Sequence, residues 1–162
     1  MNIFYLDRDQ AKAAHYHCDR HCVKMILETC QILAAVHYRY GNGSNVTYKE
    51  THKNHPSTIW TGDSATNYRW LHKLGLCLCI EYTSRYGKVH KCLGYLNGEL
   101  ADPPMGIAEH PFTDPPHCMP DEYKVEDVVT SYRNYYRVAK AYMAKWKHGN
   151  VPEWMKEQNE NL

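Results

Sequence analysis

Apolar residues recur at helical spacing in three long stretches of the chain, separated by polar or glycine-rich segments. Between Asp9 and Tyr40 the pattern predicts helix in two pieces. In the second piece Cys22, Ile26, Cys30 and Leu33 form one apolar stripe, and Arg20, Lys24, Glu28 and Gln31 form the polar face. Asp19 is placed to cap that piece, because its carboxylate can accept a free amide of the first turn. Gly41-Asn42-Gly43-Ser44 ends it. Residues 44–56 read as an irregular polar loop closing at Pro56. Asp63 or Ser64 then starts a long helix to about Tyr86, with Leu71, Leu74, Leu78 and Tyr82 as its stripe and Gly87 as its stop. A shorter helix is expected from about Val89 to Tyr95. The last long helix is expected from about Val125 to Lys147, with Val128, Tyr132, Tyr135, Ala139, Tyr142 and Trp146 inward. Its opposite face carries Arg133, Arg137 and Lys140, and Pro152-Glu153-Trp154 docks a final turn. Residues 3–6 fit one short strand. The fold class is therefore all-α, a compact helical bundle forming a single domain over 1–162.

Composition narrows the class. A hydrophobic share of 43% and a charged share of 23% are globular values and exclude wholesale disorder. No apolar run approaches the roughly 18 residues of a membrane span. The N-terminus lacks both a basic start and a long apolar stretch, so no signal peptide and a cytoplasmic location are expected. Seven cysteines, an odd number, then read as reduced thiols filling the core. His17 and His21, and Cys18 and Cys22, stand one helical turn apart, but a closed zinc site needs four ligands and no CxxC pair exists. No metal and no cofactor are expected. Six of the eight prolines fall in residues 97–121, which read as a long loop. Fourteen tyrosines against two phenylalanines suit a polar cleft or a stacking surface.

The net charge of +1 is unevenly spread. Residues 49–91 and 128–148 are basic blocks, and residues 99–127 are acidic. Such blocks can be solvated helix faces, or they can attract phosphate. Arg85-Tyr86-Gly87-Lys88-Val89-His90-Lys91 crowds cationic groups around a glycine between two helices, which suits an anion seat at a helix start. Glu81, four residues before Arg85, is in the favourable order for an ion pair. Thr51-His52-Lys53-Asn54-His55-Pro56 gathers two imidazoles ahead of a proline that presets the backbone. Asp19, His21 and Lys24 read as lining a polar pocket at a helix start. Tyr132-Arg133-Asn134-Tyr135-Tyr136-Arg137 with Lys140 interleaves bases with aromatics, as phosphate contact plus stacking would. Asp121 and Glu122 are read as capping the last helix. GxSxG, Walker A, dinucleotide-binding glycine and HExxH patterns are missing, which removes the corresponding hydrolase, P-loop and zincin classes.

The opening Met1-Asn2-Ile3-Phe4-Tyr5-Leu6-Asp7, Asp19-Arg20-His21 with Lys24-Met25-Ile26-Leu27-Glu28, His52-Lys53-Asn54-His55-Pro56, the Arg85–Lys91 turn and Met119-Pro120-Asp121-Glu122-Tyr123-Lys124 resemble a family of small bacteriophage proteins. More distantly, the order of features resembles the pyrimidine-dimer DNA glycosylases of the phage endonuclease V type. That resemblance implies an all-α fold, an N-terminal amine as nucleophile and a carboxylate on the early helix. Asn2 is too large for efficient removal of Met1, so a free amine would be that of Met1. Asp19 and Glu28 both fit the carboxylate by position.

Two functions are carried forward. The leading one is a base-excising DNA N-glycosylase, with lyase activity if an amine of Met1 or Lys24 forms an imine. In it Asp19, Glu28, His21, Lys24, His52 and His55 are the catalytic candidates, and the partner is DNA or a nucleotide in a host-cell cytoplasm. Arg85, Lys88, His90, Lys91, Arg133, Tyr136, Arg137 and Lys140 hold phosphate or nucleic acid. The other is a non-catalytic module that binds a nucleotide or nucleic acid in the same basic pocket, sequestering a host signal. His52, His55, Arg85, Lys88 and His90 are expected to border one cleft.

Overall fold

The computed structural model describes residues 1–157. Six α-helices make the body: α1 (Gln10–Tyr16), α2 (Asp19–Arg39), α3 (Pro56–Asp63), α4 (Ala65–Tyr86), α5 (Leu93–Asn97) and α6 (Val128–Ala139). The fold is all-α, and among the described residues no strand forms. Among the described residues no helix is long and apolar enough to cross a membrane.

The stripes read from the sequence are the core. Cys22, Ile26, Cys30 and Leu33 on α2 and Leu71, Leu74 and Leu78 on α4 are all buried, and α2 packs along α4. Ser64 caps α4 by accepting the amide of Asn67 at 3.1 Å. Gly87 ends it at φ +69°, a left-handed conformation that only glycine adopts at no steric cost.

Five local expectations are corrected. Residues 3–6 are a peg without a sheet partner, turned at Tyr5 where the Leu6 amide donates to the Phe4 carbonyl at 2.9 Å, with Ile3, Phe4, Tyr5 and Leu6 all buried. Pro56 starts α3 rather than closing a loop: its ring occupies the first helical turn, and His55 Nδ1 accepts the amide of Ser57 at 3.1 Å. Asp19 does not cap α2. The cap position is Cys18, the Asp19 amide donates to the Lys145 carbonyl at 2.7 Å, and the Asp19 carboxylate accepts from the Lys147 amide at 3.1 Å. That contact also explains why α6 stops at Ala139. The chain beyond it turns back so that Trp146 is buried and donates to the Tyr16 carbonyl at 3.1 Å. Tertiary contacts override the helical propensity of 140–147, and Tyr142, expected inside, is 78% exposed. The cap of α6 is Asp127, while Asp121–Tyr123 form a separate 3-10 turn.

The short helix after Gly87 begins later than the pattern suggests, at Leu93, because the His90 ring first accepts the Cys92 amide at 3.1 Å. The proline-rich stretch is tied down. Ala108 accepts the Ala65 amide at 2.8 Å, Asp114 accepts the Tyr5 hydroxyl at 2.7 Å, and Pro116 accepts the Tyr132 hydroxyl at 2.7 Å. Those ties lay residues 117–119 beside the N-terminus.

Candidate active site

The buried peg carries the first nitrogen of the chain into a cavity of about 490 Å³. Its walls come from α2 (His21, Lys24, Met25, Glu28), the start of α3 (His55, Pro56), residues 117–119, and Tyr135 and Lys140 of α6 and its C-cap. His21, Lys24 and Glu28 share one helix face because they stand three and four residues apart.

The Met1 amine lies 3.2 Å from Glu28 Oε1, and the Glu28 side chain is only 12% exposed. In so sheltered a position an ammonium and a carboxylate attract strongly, and a proton can pass between them. The His21 ring stacks on Phe4 at 4.2 Å between centroids, and its Nδ1 is 2.7 Å from the Tyr136 hydroxyl. Burial, then His17 and the nearby cations Lys140, Lys24 and Arg20, push its pKa down to about 3, so it is neutral at pH 7. His55 is also pushed down, by burial, by the N-terminal amine and by His52. Because its Nδ1 accepts an amide, its proton sits on Nε2. Lys140 holds its ammonium 4.9 Å above the Tyr135 ring. Lys24 and Lys140 make the polar side of the cavity positive, which suits a phosphate-bearing ligand.

The expected residues thus divide. Glu28, His21, Lys24, His55 and Lys140 line the cavity that holds the Met1 amine, and Glu28 contacts that amine. Asp19 does not line the cavity. It belongs to a network centred on Arg85, whose guanidinium contacts Glu81 at 3.0 Å, Asp19 at 3.2 Å, the His17 carbonyl at 2.7 Å and the His15 carbonyl at 3.1 Å. Arg85 is 6% exposed. It lines a separate void of about 30 Å³, so the single cleft joining it to His55 does not exist. The loop does reach the segment after α4, where the Thr47 amide donates to Glu99 at 2.7 Å and the Tyr48 hydroxyl lies 3.1 Å from Cys92 Sγ, but His55 lines one cavity and Arg85 the other. His52 and Lys88 are exposed and, like His90, line neither cavity. His90 sits edge-on to Tyr82 at 4.9 Å, and Lys91 is exposed beside it.

The basic-aromatic segment is mostly internal. Tyr136 is fully buried, Arg133 donates to the Leu6 carbonyl at 2.8 Å and pairs with Asp7 at 3.0 Å, and Arg137 donates to the Trp154 carbonyl at 3.1 Å. These cations hold the peg and the C-terminal turn instead of pointing at a ligand. Asn2, His117, Cys118, Met119 and Tyr135 line the cavity without having been singled out for it, since nothing in local spacing brings residues 117–119 to residue 1.

The buried imidazoles make stability acid-sensitive. Burial lowers the His17 pKa to about 4 and the His21 pKa to about 3, from 6.5. Below pH 6.5 the unfolded chain binds protons that the fold does not, so the contribution is full above 6.5 and shrinks as pH falls toward 4. We expect a loss of about 3 kcal/mol per histidine between pH 7 and pH 4. Urea midpoints across that range test it. His21→Gln should flatten the dependence, and an unchanged slope contradicts the assignment.

Residues 1–93 match the family model described as pyrimidine dimer DNA glycosylase. The matched span contains Met1, His21, Lys24, Glu28 and His55. No curated protein and no solved structure matches the chain.

Proposed function

The chain belongs to the pyrimidine dimer DNA glycosylase family, and from that premise we propose that it excises a pyrimidine from damaged DNA with the α-amine of Met1 as nucleophile. The observation that carries this reading is the 3.2 Å contact between that amine and Glu28 at the floor of a positively rimmed cavity. A cavity of about 490 Å³ is within the range that takes a small ligand group, here a base and its sugar turned out of the helix.

The Glu28 carboxylate takes a proton from the amine, freeing its lone pair. The lone pair forms a bond to the sugar C1′ while the bond from C1′ to the base nitrogen breaks. That bonding pair goes to the base, which takes a proton and, in a dimer, stays joined to the neighbouring pyrimidine. Neutral His21 and His55 supply hydrogen bonds without adding charge beside the amine. Ring opening of the sugar gives an imine, from which loss of the 3′ phosphate would cut the strand. Of the two amines in the cavity, that of Met1 is the one in contact with a carboxylate, Glu28 Oε1 at 3.2 Å. Lys24 is left to hold phosphate with Lys140.

The binding-module reading draws on the same cations. A buried carboxylate disfavours it, because a pocket for anions gains nothing from Glu28. Incubation with dimer-containing duplex DNA and borohydride tests the choice. The expected result is cleavage of one glycosidic bond of the dimer together with a trapped covalent protein–DNA adduct. Glycosidic cleavage without an adduct would make water the nucleophile. Neither product on dimer-containing, abasic or modified DNA would leave the binding module as the better account.

A further inference from the structure

The N-terminus is built around its first two side chains as well as its amine. The Met1 side chain is only 1% exposed although the residue as a whole is half-buried, so the part that faces the cavity is the main-chain end. Its thioether lies 3.9 Å from the Thr58 hydroxyl on α3. The Asn2 side-chain amide donates to the Cys118 carbonyl at 2.9 Å, and its oxygen accepts the Ile3 amide at 2.8 Å. Two further hydroxyls, of Ser57 and Tyr132, reach the same oxygen at 3.4 Å. Methionine and asparagine are therefore both fitted, and together they set where the first nitrogen stands.

Any change at that nitrogen is costly. Loss of Met1 would empty its buried side-chain site and move the terminal nitrogen one residue along the chain, about 3.8 Å between successive Cα atoms. Glu28 would then face no amine. An acyl group on the nitrogen would turn it into an amide, whose lone pair is delocalised and whose positive charge is gone. Asn2 guards against the first change, since trimming of an initiator methionine needs a small second residue. Nothing in the cavity guards against the second.

We propose that Met1 is retained as the working N-terminus and that its α-nitrogen is a modification site that switches the enzyme. An acyl cap there, such as the formyl group on the initiator methionine of bacterial-type translation, keeps it silent, and hydrolytic deacylation turns it on. In that step water adds to the formyl carbon, the C–N bond breaks, the nitrogen takes a proton and formate leaves. The proposal rests on the reading of the Met1 amine as nucleophile.

Four forms of the full chain test it. Three are released from a cleavable N-terminal fusion so that they begin at Met1, at Asn2, or at one glycine before Met1. The fourth starts at Met1 and carries a formyl group, obtained from cells in which peptide deformylase is inhibited. Intact mass identifies each, melting confirms folding, and borohydride trapping on dimer-containing duplex is the readout. The Met1 form should trap, and the other three should trap at least 100-fold more slowly. Treating the formylated form with purified deformylase should restore it, and untreated protein from a bacterial host should retain Met1. Trapping by the Asn2 form at the Met1 rate overturns retention. Full trapping by the formylated form overturns the switch, and because that form adds only one small group it serves even where the Asn2 form does not fold. If the Met1 form itself neither traps nor cleaves the glycosidic bond, the glycosylase reading has failed and the proposal falls with it.

Discussion

Glu28→Gln should slow glycosidic-bond cleavage by about 10²–10⁴, the usual cost of removing a group that moves a proton in the rate-limiting step. The substitution keeps the shape of the side chain and a carbonyl oxygen facing the Met1 amine, which now stands 3.2 Å from Glu28 Oε1. What it removes is the ability to accept a proton from that amine. Melting should therefore change far less than the rate. Asp19→Asn is the informative contrast, because Asp19 sits in the Arg85 network and outside the cavity. It should lower stability and leave the rate of the folded fraction intact. A fast Glu28→Gln enzyme beside a slow Asp19→Asn enzyme would reverse the assignment of the carboxylate.

Those two carboxylates show how far the sequence could be read. Both stand on α2, nine residues apart, and either satisfies the need for an acid on an early helix. Helical spacing places Glu28 on one face with His21 and Lys24. It does not say that a buried peg will bring the chain's first nitrogen to that face. That placement depends on burying Ile3, Phe4, Tyr5 and Leu6, with Phe4 between His21 of α2 and Tyr136 of α6 and the Leu6 carbonyl held by Arg133, the α6 partners standing more than a hundred residues away in sequence. The helices were legible wherever a stripe of apolar residues recurred at the right period, as along α2 and α4. They were misread where a distant partner decided the matter. At α6 no breaker ends the helix, and the segment leaves it in order to cap α2. At α3 the signal was present, since a residue whose side chain can accept an amide followed by proline is a helix start.

Charge was the least reliable guide, because a cation in the sequence does not reveal whether its partner is solvent, ligand or protein. Arg85 is the sharpest case. The pairing with Glu81 one turn earlier follows from spacing and is present at 3.0 Å. The two carbonyls and the second carboxylate it also serves come from the end of α1 and the start of α2, and they turn an apparent phosphate seat into an internal clamp.

Arg85→Ala should accordingly destabilise the fold by about 3–5 kcal/mol, the range for removing one partner of a buried ionic cluster. Asp19 and Glu81 would lose their shared cation, and the His15 and His17 carbonyls would lose their donors at the junction of α1 and α2. Arg85→Lys should recover little of this, since one ammonium cannot reproduce the several fixed donors of a guanidinium. Lys88→Ala, three residues on and exposed, should change stability by no more than about 0.5 kcal/mol. Chemical denaturation at pH 7 measures all three. DNA affinity of the folded Arg85→Lys protein supplies the cross-check: a clamp leaves it at the wild-type value. Wild-type stability in Arg85→Ala together with lost DNA affinity would return this arginine to the phosphate-binding set.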